Sequence, residues 1–205
     1  NNINNDQLNN LNIIISGIEE SQFAKAITFY LMIDFSYFYY YDDNYDKAIT
    51  SFTSAITLDN TNTPYYLYRC KSYYWSKKYN SALPDANYCV TKDGDIESYN
   101  MRGWVRVGLK KYVDAMADFS KCIEINPGTA DCYNGRGWIN IRDKNYSAAF
   151  DDFNKAIKND PDYGAYYRNR GLCYEEFGKK SKACEDFRTA VSLGDSKAQD
   201  YLSRN

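Results

Sequence analysis

Four arginines recur along this chain of 205 residues, each with an aspartate sixteen residues downstream: Arg69 with Asp85, Arg102 with Asp118, Arg136 with Asp152 and Arg170 with Asp186. At one further place both partners are missing together, with Phe35 and Ser51 in their stead. Joint presence and joint absence predict a charge-assisted bridge inside one structural unit. Pairing each Asp with the next unit's Arg would leave Arg69 facing Ser51. The alternative use of these arginines is ligand binding; the structural bridge is the expectation.

Other reactive chemistry is sparse. The chain has no His, so the commonest general base and metal ligand is missing. Its 6 Cys form no C-x-x-C pair, which argues against a zinc or redox motif. No Gly-rich phosphate loop and no G-x-S-x-G nucleophile elbow occur. The paired acids Asp151–Asp152 and Glu175–Glu176 fall on helical stretches and read as solvated face plus the Arg-paired column, not as a general acid/base pair. The expectation is therefore no enzyme, no cofactor and no metal.

Net charge is -2 and the pI is about 5.3. A phosphate backbone is met by a basic surface, so nucleic acid is not the expected partner. No apolar run reaches the roughly 18 residues of a membrane span. The most apolar N-terminal piece, Leu11 to Ile18, is interrupted by Asn12, Ser16 and Gly17. No signal peptide is evident; the chain opens on Asn, which leaves a removed leader open.

What must position the arginines is a repeat. YNMRGW at Tyr99–Trp104 returns as YNGRGW at Tyr133–Trp138 and as YRNRGL at Tyr167–Leu172, each 34 residues after the last. Ala115, Ala149 and Ala183 keep the same interval, as do Phe119, Phe153 and Phe187. A fixed period of this length signals stacked units. Five are expected: 29–62, 63–95, 96–129, 130–163 and 164–195. Each reads as two helices. The second opens with Tyr (Tyr45, Tyr79, Tyr112, Tyr146) and continues Ala, then Phe, then Ala or Cys, which is one buried helical face. Pro127 and Pro161 follow that helix, where it cannot continue. Pro84 lies inside the corresponding helix of the second unit and predicts a late start near Ser81, or a kink. Residues 1–28 begin Asn-rich, with Leu8, Leu11, Ile15 and Ile18 spaced for a capping helix. Residues 196–205 suggest a second cap.

Cys70, Cys89 and Cys122 occupy small-residue columns, and Cys173 a first-helix position where Ala is common. They read as buried thiols, hence a reducing, cytoplasmic setting. Cys122 and Cys132 flank one inter-unit loop and lie close enough to meet, although free thiols are the expectation.

The pattern Tyr–small–Tyr–Ala–Phe–Ala–Pro at this spacing resembles the tetratricopeptide repeat (TPR), over about residues 29–205. The resemblance implies an all-α, right-handed superhelical solenoid of about five helix-turn-helix repeats with terminal capping helices. It also implies protein–protein interaction without catalysis. First helices would line a concave groove. The candidate partner-binding residues there are Tyr37, Tyr68, Lys71, Trp75, Asn100, Met101, Trp104, Asn134, Trp138, Arg142, Arg168 and Asn169. Asn side chains can donate and accept to a peptide backbone, and Trp and Tyr give rigid contact area. The competing reading of Trp104 and Trp138 is core filling beside Arg106 and Asn140. The carboxylate clamp of co-chaperone TPR domains does not fit: its columns hold Leu67, Lys71, Met101, Asp131 and Gly135, and the other registers also fail.

Lysines at 77–78, 110–111, 144 and 179–180 mark the turns within units, and Asp59, Asp93, Asp95, Asp131, Asp160 and Asp162 the loops between them. Helix dipoles explain such a split; docking of an acidic partner or membrane surface is the alternative. The leading function is an adaptor or scaffold that binds a protein or peptide segment in the groove. The alternative is an assembly subunit that self-associates through its ends or charged edges.

Overall fold

A computed structural model describes residues 33–204. Among these the secondary structure is helical: α1 (33–41), α2 (Tyr45–Leu58), α3 (Thr63–Trp75), α4 (Tyr79–Lys92), α5 (Ile96–Gly108), α6 (Tyr112–Ile125), α7 (Ala130–Arg142), α8 (Tyr146–Asn159), α9 (Gly164–Glu176), α10 (Lys180–Ser192) and α11 (Ala198–Leu202). The expected N-terminal cap lies outside the described residues. The chain divides into two compact units, one ending at Ser76 and one beginning at Lys77. The expected repeat over 63–95 thus has α3 in one unit and α4 in the other.

In the first unit, α2 presents Ala48, Phe52 and Ala55, all fully buried, to Tyr65 of α3. Tyr68 lies at the centre of an aromatic cluster, edge-on to Tyr37 at 4.7 Å and to Tyr40 at 5.0 Å.

In the second unit, α5 packs on α6, α7 on α8 and α9 on α10, and each second helix packs on the next first helix. First helices also touch one another, α5 with α7 and α7 with α9; no comparable approach joins α6, α8 and α10. The first helices therefore form the tighter, inner layer of this unit. Phe119, fully buried on α6, explains why two helix backbones can come so close. A Cβ on Gly103 would lie 2.7 Å from its ring, and one on Gly135 of the following pair 2.5 Å. One ring thus fills the space that two glycines leave. At the far end Tyr201 of α11 stacks on Phe187 at 5.1 Å and takes the place of a further repeat.

The turns from first to second helix close by a repeated pair of bonds. Lys111 N–H donates to the Arg106 carbonyl and Lys110 N–H to that of Val107; Asn145 and Lys144 do the same toward Asn140 and Ile141. This is a Schellman closure, whose pivot residue is left-handed. Asp43, Lys77, Lys110 and Lys144 hold that pivot at φ between 55° and 62°, and Gly178 holds it in the last turn.

Two expectations are corrected. Of the late start and the kink expected for α4, the late start is ruled out: the helix begins at Tyr79 like its counterparts and carries Pro84 in its interior. Pro84 and Asn80 are both exposed, so the Asn80 carbonyl that loses its helical donor is open to water. Cys122 and Cys132 are not free thiols but form a disulfide, with Cα atoms 6.2 Å apart. Cys122 ends the buried face of α6 and Cys132 begins that of α7, and the Pro127–Gly128 turn folds them together. Closing so short a loop contributes about 2–3 kcal/mol through the unfolded state. The pair removes the ground for inferring a reducing compartment.

Cys70, Cys89 and Cys173 are buried and outside the disulfide, while Cys184 is partly exposed. Burial, and then Asp85, Asp93 and Asp95, push the Cys89 thiol up to about 12; burial and Glu176 do the same to Cys173. Since the thiolate is the nucleophile, iodoacetamide at pH 8 should label Cys184 in the folded protein and spare Cys70, Cys89 and Cys173, as read by peptide mass spectrometry. Equal labelling of Cys89 and Cys184 would contradict this packing.

Candidate interaction site

The Arg column is structural in the second unit. Arg102 donates to Asp118 at 2.7 Å, Arg136 to Asp152 at 2.7 Å and Arg170 to Asp186 at 2.7 Å. Each carboxylate is nearly inaccessible, and hydrogen bonding to it holds Arg136 and Arg170 above their ordinary pKa against the opposing effect of burial. Each guanidinium also lies over the Tyr three residues before it, Tyr99, Tyr133 and Tyr167, at 5.5–5.6 Å. Two reach back to the preceding helix pair, Arg102 to Asn87 and Arg170 to Asn154. The repeated YNMRGW stretch is therefore a joint: Tyr carries Arg, Arg holds Asp, and Gly admits Phe. The fourth expected pair, Arg69 and Asp85, has its members in different units. In the first unit Arg69 donates to Thr53 and lies over Tyr66.

The acids of the inter-pair loops also have local work. Asp95 caps α5 through Ser98 N–H, Asp59 accepts from Thr61, and Asp131 accepts from the Tyr166 phenol at 2.7 Å. That bond and burial raise the Tyr166 pKa, burial having the larger effect.

The candidate partner-binding residues separate into distinct environments. Met101, Asn134 and Asn169 are more than nine-tenths buried; Asn169 donates to Asn134 at 2.9 Å, which pairs the two amides between α7 and α9. Arg168 is drawn to Asp195 at 2.8 Å and ties α9 to the C-terminal segment. Asn100 is half-buried, and its Oδ1 has no hydrogen-bond partner among the described residues; Gly135 stands where Asn169 stands in the next interface. Trp104 is half-buried and edge-on to Phe119 at 5.3 Å.

Trp138 differs, although it occupies the same column. It is 36% exposed and leans on Tyr112 at 6.2 Å. Arg142, one helical turn on, places its guanidinium 3.7 Å from the centre of the same Tyr112 ring and also pairs with Asp143. Trp138 and Arg142 of the inner helix layer thus form, with Tyr112 at the start of α6 beneath them, a supported aromatic and cationic platform. Tyr112 was not among the sequence candidates; its place at the start of a second helix marked it only as a packing residue. In the first unit, Tyr37, Tyr68 and Lys71 belong to one cluster, with Lys71 Nζ 4.6 Å from the Tyr68 ring centre and Tyr41 OH 3.1 Å from Tyr68 OH. Trp75 is 56% exposed and touches its neighbour Tyr74.

No described helix is long and apolar enough to cross a membrane. A family model of the tetratricopeptide repeat matches residues 96–129, 130–163 and 165–193. Heat shock protein STI1 of Saccharomyces cerevisiae is 36% identical over 85 residues, 40% of this chain and 14% of that protein. RNA polymerase II-associated protein 3 of Mus musculus is 30% identical over 90 residues, 43% of this chain and again 14% of its own length. The chain thus spans only a small part of these relatives. Among solved structures, TTC0263, a thermophilic TPR protein of Thermus thermophilus, superposes with a TM-score of 0.74 at 15% identity, covering 86% of this chain and 97% of that one. MamA gives 0.65 at 22% identity, over 84% and 94%, and YrrB, described as a TPR protein with an unusual peptide-binding site, gives 0.61 at 18%, over 85% and 91%. Three matched repeats and a shared helix-pair fold place residues 96–193 of this chain in the tetratricopeptide repeat family.

Proposed function

We propose that this chain is a non-enzymatic adaptor that binds a protein segment along the inner helix layer of its second unit, with Trp138 as the anchor. The observation that carries this reading is the exposure of Trp138 on a fixed support. Its counterpart Trp104 lies against the core ring Phe119, whereas Trp138 rests on Tyr112, which also carries Arg142. A large aromatic held in one place loses little entropy on binding, which is why such residues dominate interface energetics. Arg142 beside it suits carbonyl or carboxylate groups of a bound segment. Membership of a family of interaction scaffolds supports the same reading, and the peptide-binding description of YrrB is consistent with it.

Photo-crosslinked capture from a cell extract tests it, comparing the native chain with Trp138→Ala and with Val113→Ala. Val113 is 86% exposed on α6 and belongs to no platform. A partner held by the native chain and by Val113→Ala should be reduced at least tenfold by Trp138→Ala, on the usual cost of losing an interface Trp. Equal capture by all three would remove Trp138 from the interface.

A further inference from the structure

The contact between each second-helix tyrosine and the following first helix changes at one place in the second unit. Tyr112 lies under the Arg142 guanidinium, and Tyr146 is near enough to the Glu176 carboxylate for burial and that charge to raise its pKa. The residue 34 before Arg142 is Gly108. It contributes no side chain over Tyr79, and a Cβ there would lie 2.5 Å from the Tyr79 ring. Beside that ring opens a cavity of about 500 Å³, whose walls include Lys77, Lys78, Tyr79, Gly108 and Lys110. Three lysines and no acid line it. The uncapped start of α4, Tyr79 to Ser81, forms another wall and adds the partial positive charge of a helix N-terminus.

Nothing in the fold requires lysine here. The same turn in the first unit forms a cavity lined by Asp42, Asp43, Asn44, Tyr45, Asp46 and Ser76, with the opposite charge. The helix dipole alone therefore does not select the basic residues. Nor does the backbone: Lys77 and Lys110 occupy left-handed pivots at φ 58° and 60°, where Gly is unstrained and other L-residues are disfavoured. Gly178 fills that pivot in the last turn. The lysines concentrate positive charge around a concave space in a chain of net charge -2.

We propose that this cavity is an anion site that takes a phosphate monoester carried on a protein segment, the ammonium groups of Lys77 and Lys110 meeting a dianion. The site lies on the turn edge and is independent of the Trp138 platform. A carboxylate side chain would be the weaker form of the same chemistry, since it brings one charge and two acceptor oxygens in place of two and three.

Isothermal titration of the full chain with a Gly-Gly-phosphoserine-Gly-Gly peptide tests this, alongside the Ser and Glu versions of the peptide and inorganic phosphate. The native chain should bind the phosphoserine peptide at least tenfold more tightly than the Glu peptide and show no binding of the Ser peptide. Affinity should fall as salt is raised from 50 to 300 mM, as surface charge is screened. The double variant Lys77→Gly/Lys110→Gly should lose at least tenfold in affinity while its melting temperature stays level or rises, because Gly relieves both pivots. Loss of binding with gain of stability cannot come from damage to the fold. Equal binding by native and double-variant chains, preference for the Glu peptide, or no binding of phosphoserine peptide or phosphate at millimolar concentration would each overturn the proposal.

Discussion

Phe119→Ala is expected to lower the unfolding free energy by about 3–5 kcal/mol, toward the upper end. The spread in such substitutions reflects how far the surroundings can collapse into the void. Here they cannot. The ring is flanked by Gly103 on α5 and Gly135 on α7, and neither has a side chain to move. Closing the gap would need helix backbones to shift, which Ala115, Cys122 and Ile139, all buried around it, resist. The loss would also uncouple neighbours, because stacked units are stabilised largely through their interfaces. Urea unfolding followed by circular dichroism should show the lowered midpoint, and hydrogen exchange should place the lost protection in α5, α6 and α7. Phe119→Leu, which keeps much of the volume, should cost distinctly less. A cost near 1 kcal/mol for the Ala variant would mean that the glycines are not held apart by this ring.

Period made much of this legible in advance. A column that repeats at 34 residues occupies the same place in every unit, so Gly103 with Phe119, Arg102 with Asp118 and the Tyr that opens each second helix could be read directly. Contacts between units follow a different offset. Asn134 with Asn169 and Asp131 with Tyr166 are each 35 residues apart, so they join different columns and no single column announces them. This is why Asn134 and Asn169 read as open amides. The role of Gly135 was hidden for the same reason: its column holds Met101 and Asn169 elsewhere, and only the ring of the preceding Phe119 explains the glycine. Trp104 and Trp138 share a column but not an environment, since their exposure depends on Phe119 in one case and on Tyr112 in the other. The lysine pivots were visible as charge, but their backbone conformation shows only when Gly178 is aligned with them. Cys122 and Cys132 were legible as neighbours; the bond between them depends on how the Pro127–Gly128 turn closes.

The bridge at Asp118 sets the second large effect. Asp118→Ala should cost about 3 kcal/mol, the lower part of the range for breaking a buried ion pair. The carboxylate is 2% exposed and accepts from Arg102 through both Nε and Nη2 and from Arg106 through Nη1. Removing it strands two guanidinium groups, which raises the cost. Both retain some access to water, at 16% and 20% of their side-chain surface, and each keeps a second acceptor, Asn87 for Arg102 and the Asp114 carbonyl for Arg106, which lowers it. The penalty is thus mainly that of unpaired charge, and this makes a sharper prediction than the single variant. The double variant Arg102→Met/Asp118→Leu should recover most of the loss, because apolar groups of similar volume can replace a buried pair at little net cost. A thermodynamic cycle from urea unfolding of the native, single and double variants measures the coupling directly. Strong coupling with recovery would show that the bridge fixes the register of the helices more than it stabilises them. If the double variant were as unstable as Asp118→Ala, the carboxylate would be required for reasons beyond Arg102, and Arg106 would be the group to substitute next.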